Sequence, residues 1–265
     1  MRDSPDLDAA ARLLDQGRPE EALDALAGLD AADPEVALLE AGARLDLADG
    51  EGCEDALARA AAGLAADEPD LLWLRAELDF RRWRLDAARA GFEALAAVED
   101  SPLAEDRLAR LAELAGDDAA AARHDARLAR LDPAAAPLAE TLDDDAFDAV
   151  LERAIAALPA VYREALEGAE LVVAPLPEAS LCLPGEELET PPDLLGLFVG
   201  ASALERAEAG GNLVPTPIVY VFQRNLERAV SSVAELEEEA RITLYHELGH
   251  LLGHDEEGVA EMGLA

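Results

Sequence analysis

The sequence predicts an α+β protein in two parts: an all-α helical repeat array over residues 1–133, a linker over 134–142, and a compact α+β domain with a short mixed sheet over 143–265. Three observations predict it. Small alanines recur about every 34 residues through the first half. Runs rich in β-branched and aromatic residues, bounded by Pro and Gly, punctuate the second half. A final periodic helix carries His246-Glu247-Leu248-Gly249-His250. Composition agrees with a mainly helical chain: 51% of the 265 residues are hydrophobic but 4% are aromatic, so Leu and Ala must fill the core.

In the array, Ala22, Ala56, Ala88 and Ala121 step by 34, 32 and 33 residues. Pro34, Pro69, Pro102 and Pro133 step by 35, 33 and 31, and are expected to close the units. A small Ala in the second helix of each unit lets the first helix approach closely. The clearest unit is the third, with Trp73, Ala76 and Phe80 followed by Ala88, Phe92 and Leu95. This order of large, small and aromatic residues resembles the tetratricopeptide pattern. The second unit is expected to carry an insertion around Gly50-Glu51-Gly52. The resemblance implies about four two-helix units and a concave groove for an extended peptide or a partner helix. The alternative is a plain helical scaffold that buttresses the following domain.

The Pro/Ala-rich stretch that follows predicts a semi-extended linker. Phe147, Val150, Leu151, Ile155 and Leu158 then lie at helical spacing and predict an amphipathic helix that covers a sheet. Pro159 begins a short further helix to Leu166. Ala169–Ala174 predicts a strand, and 175–193, rich in Pro, Gly and Glu, a surface loop. Asp193–Gly200 is a compact apolar segment, with close backbone approach expected at Gly196 and Gly200. Ala209–Leu213 predicts a turn, Pro217–Phe222 carries the strongest strand signal, and Val233–Leu252 predicts a long helix.

His-Glu-x-x-His on a helix is the pattern with which metal hydrolases hold zinc. Residues four apart share a face, so His246 and His250 can both present imidazole nitrogen to one ion. Glu247 lies about 100° round the helix, beside the ion, where it can take a proton from the attacking water and pass it to a leaving amine. Gly253 is placed to end the helix in a left-handed turn and send the chain back towards the ion. Glu256, six residues after His250, then stands where the longer motif puts its third ligand. Asp255 and Glu257 are alternative third ligands, and His254 is a weaker one. The expected centre is two His, one carboxylate and one water, an open site of the catalytic type.

Charge narrows the partners. The net charge is −37, and every basic residue counted is Arg. Phosphate backbones and anionic membrane surfaces would repel such a chain, so neither nucleic acid nor a membrane is an expected partner. No stretch approaches 18 uninterrupted apolar residues, and the first residues lack an apolar signal segment, so a cytoplasmic location is expected. Cys53 and Cys182 stand far apart and form no disulfide framework; each is expected to be a small buried hydrophobe.

Several separated segments now agree in order: Phe147, Leu158-Pro159, Val172-Val173, Pro192–Gly200, Glu205-Arg206, Pro217-Ile218 and His246-Glu247-x-x-His250-x-x-Gly253. Together they resemble the minimal matrix-metalloprotease-like zincins, a family of small bacterial domains, over roughly residues 142–265. The resemblance implies a compact α+β fold with a short mixed sheet and one active-site helix. It also implies zinc at His246 and His250, with an acidic residue just after Gly253 as third ligand. Peptidase activity follows from it, with an extended peptide adding to a sheet edge, expected along Ile218–Phe222. Tyr220 and Tyr245 are expected to be structural, and Arg206 to form a surface ion pair.

Two functions fit the sequence. One is a zinc-dependent metallopeptidase whose repeats recruit a peptide or protein substrate. The other is a non-catalytic interaction or scaffold protein with a metal-stabilised module. Glu247 favours the first, because a purely structural metal site needs no base.

Overall fold

The computed structural model describes residues 5–135, 137, 141–182, 188, 190–208, 215–254 and 258. The chain divides into two compact units, one of Met1–Pro133 with Glu178–Pro192, the other of Ala134–Pro177 with Asp193–Ala265. Among the described residues no helix is long and apolar enough to cross a membrane.

The first unit is a succession of helices: α1 (Pro5–Asp15), α2 (Pro19–Leu26), α3 (Pro34–Asp46), α4 (Gly50–Ala61), α5 (Pro69–Arg81), α6 (Leu85–Val98), α7 (Pro102–Leu114) and α8 (Asp118–Leu131). They pack chiefly as pairs, α1 with α2 through α7 with α8. Ala22, Ala56, Ala88 and Ala121 each fall in the second helix of a pair and are buried. The turn inside each pair carries one residue of positive φ: Gly17, Ala48, Trp83 and Gly116. These step by 31, 35 and 33, a second record of the repeat that the sequence hides because only two of the four are glycine.

Two expectations change here. Pro34, Pro69 and Pro102 do not close units; they open α3, α5 and α7 within the first turn. A missing N–H costs nothing there, and the ring fixes a helical φ. Gly50-Glu51-Gly52 is likewise no insertion but the first turn of α4, with the Asp49 side chain accepting from Gly52 N.

The apolar centre of the third and fourth pairs is built on Phe80, Phe92, Leu95, Leu108 and Leu111. Trp73 tilts against Phe92 at 5.4 Å. Two buried carboxylates, Glu77 and Glu105, are matched by cations. Glu77 accepts from Arg107 Nε at 2.7 Å and from Arg81 Nε at 3.2 Å, while Glu105 accepts from Arg127 Nε at 3.0 Å and faces His124 Nδ1 at 2.7 Å.

The segment 178–192 belongs to this unit and is not wholly a surface loop. Leu188 is buried in the cluster of Leu71, Leu78 and Leu57. The Trp83 indole N–H donates to Thr190 O at 2.9 Å, giving the polar end of a large ring an acceptor. Cys53 and Cys182 are both buried free thiols.

The second unit contains α9 (Asp144–Ala157), α10 (Ala160–Leu166), β1 (Glu170–Ala174), β2 (Gly196–Val199), α11 (Ala203–Glu208), β3 (Ile218–Phe222), α12 (Gln223–Arg228) and α13 (Val233–Leu252). The sheet order is β1-β3-β2. β1 runs parallel to β3, Glu170 opposite Ile218, and β2 runs antiparallel, Phe198 opposite Val219. β3 is therefore the central strand, and Ile218–Phe222 offers no open edge for a peptide. That expectation is corrected: its unbroken run of β-branched and aromatic residues suits a strand paired on both sides.

Phe147, Val150 and Leu151 of α9 pack with Val219 and Val221 of β3 and with Leu236, Leu244 and Leu248 of α13. α11 and α12 went unforeseen, since six residues are too few to show a helical period. The expected turn at Ala209–Leu213 lies outside the described residues.

Candidate active site

The site stands on α13. Ser232 caps its start by accepting from Glu235 N, and the Glu235 carboxylate returns to Ser231 N at 2.9 Å. Gly253 ends it at φ 101°, the left-handed turn its position predicts, with His254 N bonded to Gly249 O at 3.1 Å. The helix end is thus fixed within one turn of His250, where the macrodipole favours a cation.

His246 and His250 come together as predicted. Their Nε2 atoms lie 3.1 Å apart, with ring planes crossing at 74°. Two nitrogens bound to one tetrahedral zinc at ~2.05 Å would be about 3.3 Å apart. His250 Nδ1 faces the His254 carbonyl oxygen at 3.1 Å. A carbonyl only accepts, so Nδ1 carries the proton and the Nε2 lone pair points at His246. Two nitrogens this close need a proton or a cation between them, and the pair fits zinc. His254 contributes its carbonyl to this arrangement.

Glu247 is 8% exposed and faces β2. Its Oε2 accepts from Phe198 N at 2.7 Å. In the antiparallel pairing Phe198 turns its amide away from β3, which leaves that donor for the carboxylate. The approach depends on Gly196. A Cβ there would lie 2.7 Å from Thr243 Cγ2 and 2.9 Å from Glu247 Cγ, contacts that backbone-mounted carbons do not tolerate. Gly200, the other glycine expected at a close approach, stands at φ 132° against Pro217.

A cleft of about 220 Å³ opens beside these residues, lined by Leu194, Leu195 and Gly196 on one side and by Glu239, Ile242, Thr243, His246 and Glu247 of α13 on the other. Positions 239, 242, 243, 246 and 247 form one helical stripe, so the cleft runs along α13 upstream of His250. The opposite wall is pinned by its backbone: Asn225 Nδ2 donates to Leu194 O at 2.7 Å and Phe222 N to Leu195 O at 2.9 Å. The helical spacing that found His250 from His246 would also have found Ile242 and Thr243. No sequence signal marks Phe198, because it acts through its amide.

Among the described residues no third His, Cys, Asp or Glu joins the pair. Glu256, Asp255 and Glu257, the predicted third ligands, lie outside the described residues. Tyr245 stacks on Tyr162 at 4.1 Å, and burial and the hydrogen bond between them push the Tyr162 phenol up to about 12. Tyr220 packs on Phe222 at 6.2 Å. Arg206 turns its guanidinium to the Gly168 carbonyl at 3.5 Å, and among the described residues it forms no ion pair.

No curated protein matches the chain. Residues 166–264, which hold the whole sheet, α13 and the His246–His250 pair, match the family model of the zincin-like metallopeptidases, and this segment is similar to that family's domain.

Proposed function

We propose that residues 143–265 form a zinc-dependent peptidase domain and that the helical repeats recruit its peptide or protein substrate. The observation that carries this reading is the His246–His250 pair, with Nε2 atoms 3.1 Å apart and Glu247 held next to them by Phe198 N. His246 and His250 hold the zinc, with Glu256, or its neighbour Asp255 or Glu257, as third ligand. Bound zinc supplies Lewis acidity, polarising the scissile carbonyl and lowering the pKa of the attacking water to about 7. Glu247 takes the proton from that water and delivers it to the leaving amine. The Phe198 amide orients the carboxylate for both transfers. Leu194, Leu195 and Ile242 supply an apolar wall that shields the reacting bond from bulk water.

The test compares wild type with Glu247→Gln, both purified without chelator. Zinc content and cleavage of a broad peptide library are measured in parallel. About one zinc per chain in both, with cleavage by wild type alone, is the expected result. Zinc in both and cleavage by neither would replace this reading with the non-catalytic, metal-stabilised interaction protein. No zinc in either would remove the ligand assignment.

A further inference from the structure

The geometry points to a second recognition site: a groove across α1, α3, α5 and α7 that takes a polypeptide segment carrying arginine or lysine beside an apolar anchor. It rests on the reading that the repeats recruit a polypeptide, and it names the chemistry of that polypeptide. The groove encloses about 400 Å³. Its apolar floor is made by Leu38, Leu74 and the half-buried Trp73. Gly42 lies in its lining, where a Cβ would make ordinary contacts with Leu14 at 3.6 Å and Leu74 at 4.0 Å, so that a larger side chain is what would fill the groove.

The lining carries four carboxylates, Asp15, Asp46, Asp70 and Glu77, against two guanidiniums, Arg81 and Arg107, and so is acidic on balance. The two cations that line the groove, Arg81 and Arg107, are both bonded to Glu77, which also lines it. Asp15, Asp46 and Asp70 remain, and among the described residues none of them makes a side-chain hydrogen bond or ion pair. Asp70 has a local reason to be where it is, because it lies in the first turn of α5, where an acid is favoured. Asp15 and Asp46 have the opposite one. They are the last residues of α1 and α3, where the helix dipole disfavours an acid. Desolvation raises the Asp46 carboxyl above its usual range and Glu77 raises it further, while Arg81 pulls it down. Two exposed acids set against their helix dipoles, both lining one groove, break a local rule together, and a bound cation offsets both. The flat indole of Trp73 beside them suits an apolar side chain or the face of a guanidinium.

The experiment uses the full chain and fluorescence anisotropy with a labelled nonapeptide of alternating Arg and Leu, against its Glu/Leu counterpart. One Arg/Leu peptide is expected per chain, with no binding of the Glu/Leu peptide. Asp15→Asn with Asp46→Asn should weaken binding by roughly ten-fold or more, and so should Gly42→Leu, which fills the groove without touching charge. Asp55→Asn with Glu93→Gln, an exposed acid pair outside the groove, should leave it within about two-fold. Thermal melts of each variant separate lost binding from lost folding, and the paired Asp variant decides the matter if Gly42→Leu does not fold. Equal weakening by both acid pairs, or none by the groove pair, would overturn the site in favour of diffuse surface charge. Spermidine binding with the same variant sensitivity would overturn the polypeptide as occupant. Glu247→Gln should bind the peptide as wild type does; intact binding without hydrolysis in wild type would sink the peptidase reading and leave the groove standing.

Discussion

The helical array and the helix–sheet unit each bring two elements together over a small residue, and they use the closeness for opposite ends. In the array, Ala88 and its equivalents let paired helices meet so that Phe80 and Phe92 fill the space with carbon. Carboxylates buried there are clamped by cations, as Glu77 is by Arg107 and Arg81. In the second unit Gly196 lets β2 meet α13, and the group in the contact is Glu247, held by the Phe198 amide. A guanidinium cancels the charge it binds, whereas an amide orients a carboxylate without cancelling it. The same device of close approach therefore yields a packed scaffold in one place and a carboxylate lining a cleft in the other.

The sharpest way to break this contrast is to neutralise one buried carboxylate in each region. Glu247→Gln should lower peptide cleavage by ~10²–10⁴-fold with little change in melting temperature. Glu77→Gln should do the reverse, removing the buried charge that Arg107 and Arg81 share and costing about 3 kcal/mol of stability, read by denaturant unfolding. If both variants behave alike, the distinction fails.

Metal removal comes next. A chelator should lower the stability of wild type by about 4 kcal/mol at a thousand-fold excess of zinc over its dissociation constant, and should leave His246→Ala unmoved. Equal shifts in both proteins would mean that zinc is held elsewhere.

The two glycines give a smaller and more pointed test. Gly196→Ala places a carbon 2.9 Å from Glu247 Cγ and should cost about 1–3 kcal/mol while displacing the base, so cleavage falls further than folding does. Gly42→Ala in the array meets only ordinary contacts and should be neutral or stabilise α3 by about 0.5–1 kcal/mol. Calorimetry on the pair measures both.

The smallest effect concerns the cysteines. Burial pushes the Cys53 thiol up to about 12 and Cys182 up to about 11, so both stay protonated at pH 8. A raised thiol pKa means less thiolate at any pH below it, and thiolate is the reactive form. Thiol reagents at pH 8 should label the folded chain slowly and the urea-unfolded chain fully. Fast labelling of Cys182 in the folded state would show that the 178–192 segment lifts away.

Much of this was legible along the chain because it depends on near neighbours. α13 begins and ends where Ser232 and Gly253 place it, and four-residue spacing alone brings His246 to His250. The alanine period marked the second helix of every pair. The prolines were misjudged, because a proline between two helices can close one or open the next, and only the observed backbone shows that it opens. The sheet edge was misjudged for a related reason. A strand's own residues report that it pairs, not how many partners it has.

The sequence marked the helical array, the helix that carries His246 and His250, and the Glu247 between them, since each is written in spacings of three, four or about 34 residues. Folding settled which strand is central, that the Phe198 amide restrains Glu247, that Leu188 joins the array, and that Asp15, Asp46 and Asp70 border one groove. These are contacts between residues tens of positions apart, fixed by packing and by the demand that buried donors and acceptors find partners. No periodicity along the chain encodes them.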